Sequence, residues 1–395
     1  MPWREICAMD ERFRFVLEAL REEAPMAVLC REWGISRQTG YKWVNRFKRQ
    51  GAEGLKEGSR RPRHFGLAHS GEMVSAALAL KRDYPLFGPR KLRALLEMAR
   101  PDEAVPAAST IGDWLKRENL VEARRLRRRC PPYTQPFAKV VGPNDVWSVD
   151  FKGWFRTGDG QRCDPLTVKD AYSRYLLSCQ AAAAPDHDHV RARFEELFGE
   201  FGLPRAIRSD NGPPFAAVGA GGLSKLAVWW IKLGIAPERI EPGKPEQNGR
   251  HERMHETLKK AVADPPAASF EAQQVALERF RQQYNKERPH EALGQKVPAA
   301  FYRASPRAYP CRLREPEYEA ETAVRRVRRN GSVKWAGDHI FVSEALPGEP
   351  VGIRETISGD WQVHYGVVEL GYIDRHTKRL VRRLRPRADR AAPGP

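Results

Sequence analysis

Three short stretches of the chain carry acidic residues in settings that suit metal-dependent chemistry. Asp150 lies inside a predicted strand, where a carboxylate without a partner would be costly to bury. Asp210 follows a second short strand in an Asp-Asn-Gly turn, and taken alone it is better explained as an ordinary turn residue. Glu252 lies one turn into a predicted helix. Carboxylates brought together from the three stretches could hold a divalent metal ion, because oxygen ligands suit Mg²⁺.

The composition indicates which substrate such a site would meet. The 395 residues include 68 Lys and Arg against 50 Asp and Glu, which gives a formal net charge of +18. A surface of this charge attracts polyanions, so nucleic acid is the expected partner. The six cysteines show neither a CxxC pair nor zinc-finger spacing, and no apolar run approaches the roughly 18 residues of a membrane span. We therefore expect a cytoplasmic protein without a membrane partner.

Apolar residues at helical spacing predict three short helices between about residues 10 and 50. A tight turn at residues 34–36 separates the last two, and Ser36 is a suitable N-cap for the third helix. This spacing is typical of a helix-turn-helix, whose third helix lies in the major groove of DNA. The residues predicted to contact DNA from that helix are Arg37, Gln38, Thr39 and Lys42. The alternative is a helical bundle with a solvated basic face.

A second helical group is predicted from about residue 70 to 120, and its last helix is expected to be capped at Ser109. The leucines of this group, at positions 92, 95 and 96, are expected to be core residues. A proline-flanked basic strap follows, and we expect it to lie along DNA phosphates, although a solvated linker is the alternative. Its arginines are Arg124, Arg125, Arg127, Arg128 and Arg129.

Strand patterns replace helical ones from about residue 141. The predicted elements are strands at 146–155, 166–168, 175–179 and 205–208, and helices at 187–201 and 223–233. Strands followed by a strand-helix alternation indicate an α/β domain with a mixed sheet.

The segment from about 320 to 385 is predicted to form a small β-barrel. It opens with a hairpin signal at residues 324–331, which ends in Asn330-Gly331. Short alternating runs around 340–342, 351–353 and 361–363 follow.

The acidic stretches together resemble the integrase-core DDE transposases of bacterial insertion sequences, which are relatives of retroviral integrases. The family pattern has a first Asp in W-x-x-D-F, a second in D-N-G and a Glu in P-x-x-N-G-x-x-E-x-x-H. These positions fall on Asp150, Asp210 and Glu252, and His255 closes the last motif. The resemblance covers roughly residues 141–305, including a segment at 284–293 that is similar to the family's Y-N-x-x-R-P-H-x-x-L.

The resemblance implies a multidomain chain with all-α helix-turn-helix modules, an α/β ribonuclease H-like core and a C-terminal SH3-like barrel. The expected segments are a helix-turn-helix domain at 1–58, a second helical DNA-binding domain at 59–122, a basic linker at 123–140, the catalytic core at 141–305, a DNA-binding barrel at 306–385 and a disordered tail at 386–395.

The resemblance also implies an activity. Asp150, Asp210 and Glu252 would bind two Mg²⁺ ions, for which Mn²⁺ may substitute, and these would support in-line displacement at phosphorus. The products would be element ends with free 3′-hydroxyls, and then ends joined to target DNA. His255, Lys259 and Lys260 are expected to contact DNA near the scissile phosphate. The partners would be double-stranded terminal repeats and target DNA, bound by a homodimer or higher multimer at the bacterial nucleoid.

Two acidic residues compete for the third catalytic position. Between Asp210 and Glu246 lie 35 residues, the spacing that many family members show, and 41 lie between Asp210 and Glu252. Glu246 precedes the Asn248-Gly249 turn and is better explained as a helix cap. Glu252 matches the motif position, and a glycine-rich insertion at 218–222 accounts for the extra length. We therefore assign the role to Glu252.

Two alternative functions follow from the same residues. One is a catalytically silent DNA-binding regulator derived from a transposase, although the complete set of three acidic residues argues against it. The other is a metal-dependent nuclease of ribonuclease H type. The flanking DNA-binding modules are difficult to explain for such an enzyme, because a nuclease has no need to choose DNA ends. Strand transfer separates them, because the regulator binds without cutting and the nuclease cuts without joining.

Overall fold

The computed structural model describes residues 8–57, 70–121, 140–217, 219–240, 249–357, 359–375 and 377–381. These residues fall into two compact units, one before residue 70 and one from Ser70 onwards. The five arginines of the basic strap, Glu246 and the predicted disordered tail lie outside the described residues. The finer domain boundaries stay predictions.

The first unit is the expected helix-turn-helix. Its helices are α1 (Ala8–Arg21), α2 (Met26–Glu32) and α3 (Arg37–Gln50), and a short 3₁₀ turn follows at Gly51–Leu55. Gly34, with φ of 63°, makes the turn between α2 and α3. Ser36 caps α3 as predicted, because its side chain accepts a hydrogen bond from the Thr39 N–H at 3.1 Å.

Three further helices open the second unit, and they are α4 (Gly71–Asp83), α5 (Pro89–Ala99) and α6 (Ala108–Arg117). Leu92 and Leu96 are fully buried and Leu95 packs beside them, which confirms the predicted core stripe. The predicted cap at Ser109 is wrong. Helix α6 begins at Ala108, one residue before Ser109, and its N-cap Ala107 makes no side-chain hydrogen bond, so Ser109 lies inside the first turn.

A mixed five-stranded sheet forms the centre of the second unit. The strands, with a small separate hairpin of β2 and β3, are β1 (Val146–Phe151), β2 (Phe155–Arg156), β3 (Arg162–Cys163), β4 (Leu166–Asp170), β5 (Leu176–Gln180), β6 (Ala206–Ser209) and β7 (Ala236–Arg239). The sheet order is β5-β4-β1-β6-β7. Strand β1 pairs antiparallel with β4 and parallel with β6. The single strand predicted for 146–155 is therefore wrong, since β1 ends at Phe151 and Gly153 turns the chain with φ of 88°.

Helices cover both faces of this sheet. They are α7 (His187–Phe201), α8 (Lys225–Lys232), α9 (Gly249–Leu258) and α10 (Phe270–Lys286), and a π-helical turn at Lys259–Ala263 extends α9. Helices α7 and α8 share one apolar core with Trp147 and Val149 of β1. Helices α9 and α10 share another with Leu176 and Cys179 of β5. The sheet is thus the middle of three layers, as expected for a ribonuclease H-like core.

The C-terminal part is an antiparallel β domain built from two sheets. Its strands are β8 (Ala323–Arg326), β9 (Ser332–Trp335), β10 (Asp338–Phe341), β11 (Pro350–Glu355), β12 (Trp361–Tyr365), β13 (Val368–Ile373) and β14 (Leu380–Val381). The Asn330-Gly331 turn is present, since the Arg328 N–H donates to the Ser332 carbonyl at 2.8 Å. However, β8 pairs with β11 and β9 pairs with β10, so the hairpin predicted at 324–331 is wrong.

The C-terminal sheets share one apolar core with the catalytic part. Leu223, which precedes α8, and Ala227 and Val228 of α8 pack in the same cluster as strands β11 to β13. The glycine-rich insertion lies at this junction, where a side chain on Gly221 would meet Leu370 Cδ2 at 2.8 Å. The insertion thus lets β13 approach the core closely. None of the helices in the described part of the chain is long and apolar enough to span a membrane.

Candidate active site

Asp150 is placed by the alternation of β1. Trp147 and Val149 point into the apolar core shared with α7 and α8. Successive side chains of a strand face opposite sides of the sheet, so Ser148 and Asp150 face the layer that holds α9 and α10. The Asp150 side chain is 17% exposed. The W-x-x-D-F pattern therefore has a structural reason, since its Trp anchors the strand and its Asp comes out on the other face.

Asp210 lies beside Asp150 because of the parallel pairing of β1 with β6. Ser148 is the register partner of Arg208, and the two aspartates each follow that pair by two residues. The Asp210 Oδ1 atom is buried and accepts no hydrogen bond from the described residues. Burial raises the pKa of this carboxyl, and the Gly212 N–H opposes the shift. Asp210 thus differs from an ordinary exposed turn residue, because one of its carboxyl oxygens is buried without a hydrogen bond from the described residues.

Glu252 lies in the first turn of α9, and its side chain is exposed. Residues 241–248, which precede this helix, are outside the described part of the chain. Among the described residues, no three His, Cys, Asp or Glu side chains lie together closely enough to hold a metal ion. The fold therefore brings Asp150 and Asp210 to the same end of the sheet. Glu252 does not lie close enough to them to complete a metal-binding cluster.

Four polar residues form a square on the face of the sheet below α9. Ser148 is paired with Lys169, and Asp150 is paired with Thr167. Directly opposite residues of neighbouring strands share a face. Lys169 is 2% exposed, and its Nζ donates to the Arg250 carbonyl of α9 at 2.9 Å. Burial lowers the pKa of Lys169 to about 7, and the nearby Asp150 carboxylate counteracts part of this shift.

Two histidines of α9 meet the same square. His251 is buried, and its Nε2 lies 2.7 Å from Thr167 Oγ1 while its Nδ1 lies 3.1 Å from Ser148 Oγ. His255 Nε2 lies 2.8 Å from the same Thr167 oxygen, and its Nδ1 lies 4.0 Å from Asp150 Oδ2. Burial lowers the pKa of His251 well below its ordinary value and that of His255 to about 3. Both imidazoles are therefore neutral at physiological pH.

Positive charge adjoins the carboxylates. Lys152 follows Asp150 by two residues, and Lys259 lies near enough to lower the pKa of the Lys152 ammonium, after the larger effect of burial. Lys259 and Lys260 are both exposed. Cations beside acidic groups suit a site that takes both a metal ion and a phosphodiester.

Family models match along most of the chain. Two models described as an integrase core domain match residues 141–245 and 233–298. A helix-turn-helix domain model matches residues 11–63, and a homeodomain-like domain model matches 39–115. A model of the C-terminal domain of IS481 family transposases matches residues 322–380.

Proteins of bacterial insertion elements are similar to this chain. The insertion element IS407 uncharacterized 31.7 kDa protein of Burkholderia multivorans is 27% identical over 237 residues, which cover 59% of this chain and 82% of that protein. The insertion element IS476 uncharacterized 39.2 kDa protein of Xanthomonas euvesicatoria is 29% identical over 236 residues, which cover 58% of this chain and 64% of that protein. These matches support an insertion-sequence transposase of the integrase-core family.

A solved retroviral integrase core is similar to this chain at a low score. The catalytic core domain of HTLV-2 integrase, solved in complex with magnesium, is 14% identical to this chain, with a TM-score of 0.33. The match covers 42% of this chain and 100% of the integrase chain. The helix-turn-helix and integrase-core matches mark the transposase as a DNA-binding protein whose core is of the polynucleotidyl transferase kind.

The predicted DNA-reading residues of the transposase lie at the start of α3. Arg37, Gln38 and Lys42 are exposed, whereas Thr39 is half-buried and its Oγ1 lies 2.8 Å from Ser36 Oγ. The Lys42 ammonium lies 4.7 Å from the centre of the Trp43 ring, which packs in the core of the first unit. A buried aromatic thus supports one basic residue of this helix face, and DNA contact by these four residues stays a prediction.

The predicted DNA contacts beside Glu252 differ in accessibility. Lys259 and Lys260 are exposed on the π-helical turn that extends α9. The His255 side chain is 11% exposed and bound to Thr167. The structure therefore leaves the two lysines available to DNA and engages the His255 ring within the protein.

Sequence reasoning missed Thr167, Lys169 and Ser148. A signal for them is present, because β4 alternates apolar Leu166 and Val168 with polar Thr167 and Lys169. This alternation predicts a sheet face that is not apolar. The partners of that face lie 81 to 103 residues away in sequence, so the pattern could not identify them.

Proposed function

We propose that this transposase binds the ends of its insertion sequence, cleaves them to free 3′-hydroxyls and joins them to target DNA by metal-dependent phosphoryl transfer. The observation that carries the proposal is the placement of Asp150 and Asp210 at one end of adjacent parallel strands. The family assignment supports the reaction class, and the positive charge of the chain supports a DNA substrate.

The residues fit a divalent metal site in their chemistry. Asp210 Oδ1 is buried and has no hydrogen-bond partner among the described residues. This is expected of a carboxylate oxygen that coordinates a metal ion when the ion is bound. Asp150, Asp210 and Glu252 would hold two Mg²⁺ ions, with Mn²⁺ as a substitute. When bound, such ions stabilise both the attacking and the leaving oxygen of an in-line displacement.

The remaining work falls to side chains that bind and orient DNA. Lys259, Lys260 and His255 would act near the scissile phosphate. The exposed start of α3 would read base edges through Arg37, Gln38, Thr39 and Lys42. The basic strap would lie along phosphates through Arg124, Arg125, Arg127, Arg128 and Arg129.

Joining two ends to one target in a coordinated way calls for a dimer or larger multimer on double-stranded DNA. The proposed division of labour follows the segments predicted above, with the core at 141–305 between helical modules and the C-terminal β domain. A monomeric complex on paired ends, by mass measurement, would contradict the multimer.

A silent DNA-binding regulator is the second candidate. It is favoured by the exposed Glu252 side chain and by the lack of a three-carboxylate cluster among the described residues. The regulator would bind the same DNA and leave it intact.

A strand-transfer assay separates the candidates. The substrate is duplex DNA from the sequences that flank the coding region, offered both intact and with the 3′-hydroxyl already exposed. The proposal predicts joining that requires Mg²⁺ or Mn²⁺. Cutting without joining would indicate a nuclease, and specific binding without either reaction would indicate the regulator.

A further inference from the structure

We infer that Ser148, Thr167 and Lys169 are positioning residues that hold the Glu252 helix in register over the strand of Asp150. Together with His251 and His255 they form a hydrogen-bonded cluster, which we call the α9 clamp. The inference rests on the proposed function for the role of Glu252. It adds a set of residues that the acidic motifs do not contain.

The clamp joins two strands to one helix on both sides of Glu252. Lys169 Nζ donates to the Arg250 carbonyl at 2.9 Å, before Glu252 in sequence. Thr167 Oγ1 lies 2.7 Å from His251 Nε2 and 2.8 Å from His255 Nε2. In a helix of about 3.6 residues per turn, Glu252 lies about 100° around the axis from His251 and about 60° from His255. The clamp therefore fixes both the position of α9 along its own axis and its rotation about that axis.

The hydrogen atoms of the clamp can be assigned consistently when both imidazoles are neutral. A neutral imidazole has one N–H and one bare nitrogen. The Ser148 hydroxyl has two acceptors within reach, His251 Nδ1 at 3.1 Å and the Lys169 carbonyl at 3.3 Å. When it donates to His251 Nδ1, His251 Nε2–H donates to Thr167 Oγ1. The Thr167 hydroxyl then donates either to the Asp150 carbonyl, 3.0 Å away, or to His255 Nε2. Serine, histidine and threonine are thus linked in a chain that crosses from β1 to α9 to β4.

Stability alone gives no reason for this polar cluster. Residues Leu176, Met254, Leu258 and Leu277 pack as an apolar layer around it on the same side of the sheet. An aliphatic side chain at position 169 would bury its surface without the desolvation that an ammonium suffers. Polar groups buried in an apolar layer are stable only in the arrangement that satisfies their hydrogen bonds. They therefore select one register of α9 on the sheet. A catalytic helix needs this property, because small misplacements of a metal-binding carboxylate slow the reaction.

Three members of the clamp are inaccessible to DNA. Thr167, Lys169 and His251 are all buried. Loss of the Thr167 hydroxyl should therefore alter the reaction through α9 and leave DNA affinity intact. This separates a positioning role from a DNA-contacting one.

The test compares Thr167→Val, which removes the hydroxyl at nearly constant shape, with Thr167→Ser, which keeps it. Thr157→Val is the matched control, because Thr157 is also buried but lies in the turn between β2 and β3. Hydrogen–deuterium exchange of residues 249–258 in metal-free full-length protein reports on α9 directly. Joining of DNA with exposed 3′-hydroxyls is measured against Mg²⁺ concentration, and DNA binding is measured in Ca²⁺.

We expect Thr167→Val to exchange α9 amides roughly tenfold faster and to need roughly tenfold more Mg²⁺ for half-maximal joining. DNA affinity and the exchange of α7 should not change, and Thr167→Ser should restore both altered values. The inference is overturned if α9 exchange or the Mg²⁺ requirement matches wild type, or if Thr157→Val behaves like Thr167→Val. If Thr167→Val does not fold, Lys169→Met serves in the same comparison.

Failure of the proposed function gives a different result. Wild type would then bind DNA without joining it in Mg²⁺ or Mn²⁺, whatever happens to α9. In that case the exchange data still decide whether the clamp holds the helix, because they require neither metal nor DNA.

Discussion

Asp150 and Asp210 each lie two residues beyond a pair of partners, Ser148 and Arg208, in the neighbouring parallel strands β1 and β6. Neighbouring strands are about 4.8 Å apart, so residues at one level of two such strands are close in space although 59 residues separate them in the sequence. Asp150 also faces Thr167 across the antiparallel pairing with β4. Strand β1 therefore carries Asp150 between two neighbouring strands. On one side, the parallel strand β6 leads to Asp210, the second proposed metal ligand. On the other side, the antiparallel strand β4 carries Thr167 of the α9 clamp.

Replacement of Asp210 by Asn should separate metal binding from folding. Because burial raises the pKa of Asp210, its ionised form opposes folding, and the carboxyl stabilises the fold fully only below its unfolded pKa. Asp210→Asn should therefore have an equal or higher Tm than wild type at neutral pH without metal, and this difference should vanish in acid. Added Mg²⁺ should raise the Tm of wild type only. A lower metal-free Tm for the variant, or equal Mg²⁺ stabilisation, would contradict this account.

The basic strap and the recognition helix should differ in how they contribute to DNA binding. Each phosphate contact contributes about 0.9 to the slope of log K against log salt. Substitution of Arg124, Arg125, Arg127, Arg128 and Arg129 by Gln should lower that slope and weaken binding to all sequences alike. Gln38→Ala should instead cost about 1–3 kcal/mol on terminal-repeat DNA and little on unrelated DNA. Titrations at several salt concentrations check both, and equal losses on both DNAs for Gln38→Ala would remove it from base reading.

His290 should make the fold sensitive to acid. Its ring packs edge-on against Tyr284 at 4.8 Å, and its Nε2 is buried without a hydrogen bond among the described residues. Burial and the nearby Lys91 lower its pKa to about 3. A histidine whose pKa is lower in the folded state than in the unfolded state stabilises the fold fully above its unfolded pKa, which is about 6.5. This stabilisation is lost as the pH falls towards 3.

His290→Phe should therefore lose fewer degrees of Tm than wild type between about pH 7 and pH 5. The exposed His339 provides the control, and His339→Gln should follow wild type. The reduction should be partial, because His251 and His255 are also buried in neutral form. Parallel Tm curves for wild type and His290→Phe would refute the prediction.

The C-terminal β domain should unfold together with the catalytic core. Leu370 is 2% exposed and packs in the cluster that also holds Leu223 and Val228. Leu370→Ala should cost about 2–5 kcal/mol of unfolding free energy, by the usual range for buried leucine. Val367→Ala, at a side chain that is 79% exposed, should change it by less than about 0.5 kcal/mol. Denaturant unfolding should show one shifted transition for Leu370→Ala, and a separate early transition of residues 320–381 would contradict the shared core.

Elements with local signals were predictable from sequence. Ser36 caps α3, and Asp186 caps α7, whose bounds are those predicted, because its side chain accepts from the Asp188 and His189 N–H groups. Capping needs only neighbouring residues, so the sequence contains the whole cause. The acidic motifs were found in the same way, through short patterns that resemble a family.

Elements that depend on distant partners were not predictable. Strand β7 contains Pro237, which argues against a strand, yet it pairs in parallel with β6 at the edge of the sheet, where a proline is tolerated. The turn at Asn330-Gly331 was recognised, but burial in two different sheets decides the partners of its flanking strands. The α9 clamp has the same origin, because Lys169 and His251 are buried polar residues whose partners come from another part of the chain.

The central claim is that Asp150, Asp210 and Glu252 act together in metal-dependent joining. The most direct measurement is Mg²⁺-dependent strand transfer with DNA from the ends of the element, comparing wild type, Glu252→Gln and Glu246→Gln. The account predicts that Glu252→Gln alone loses joining while it keeps wild-type DNA affinity. Loss of joining in Glu246→Gln, with joining retained in Glu252→Gln, would contradict the assignment and place Glu246 in the active site.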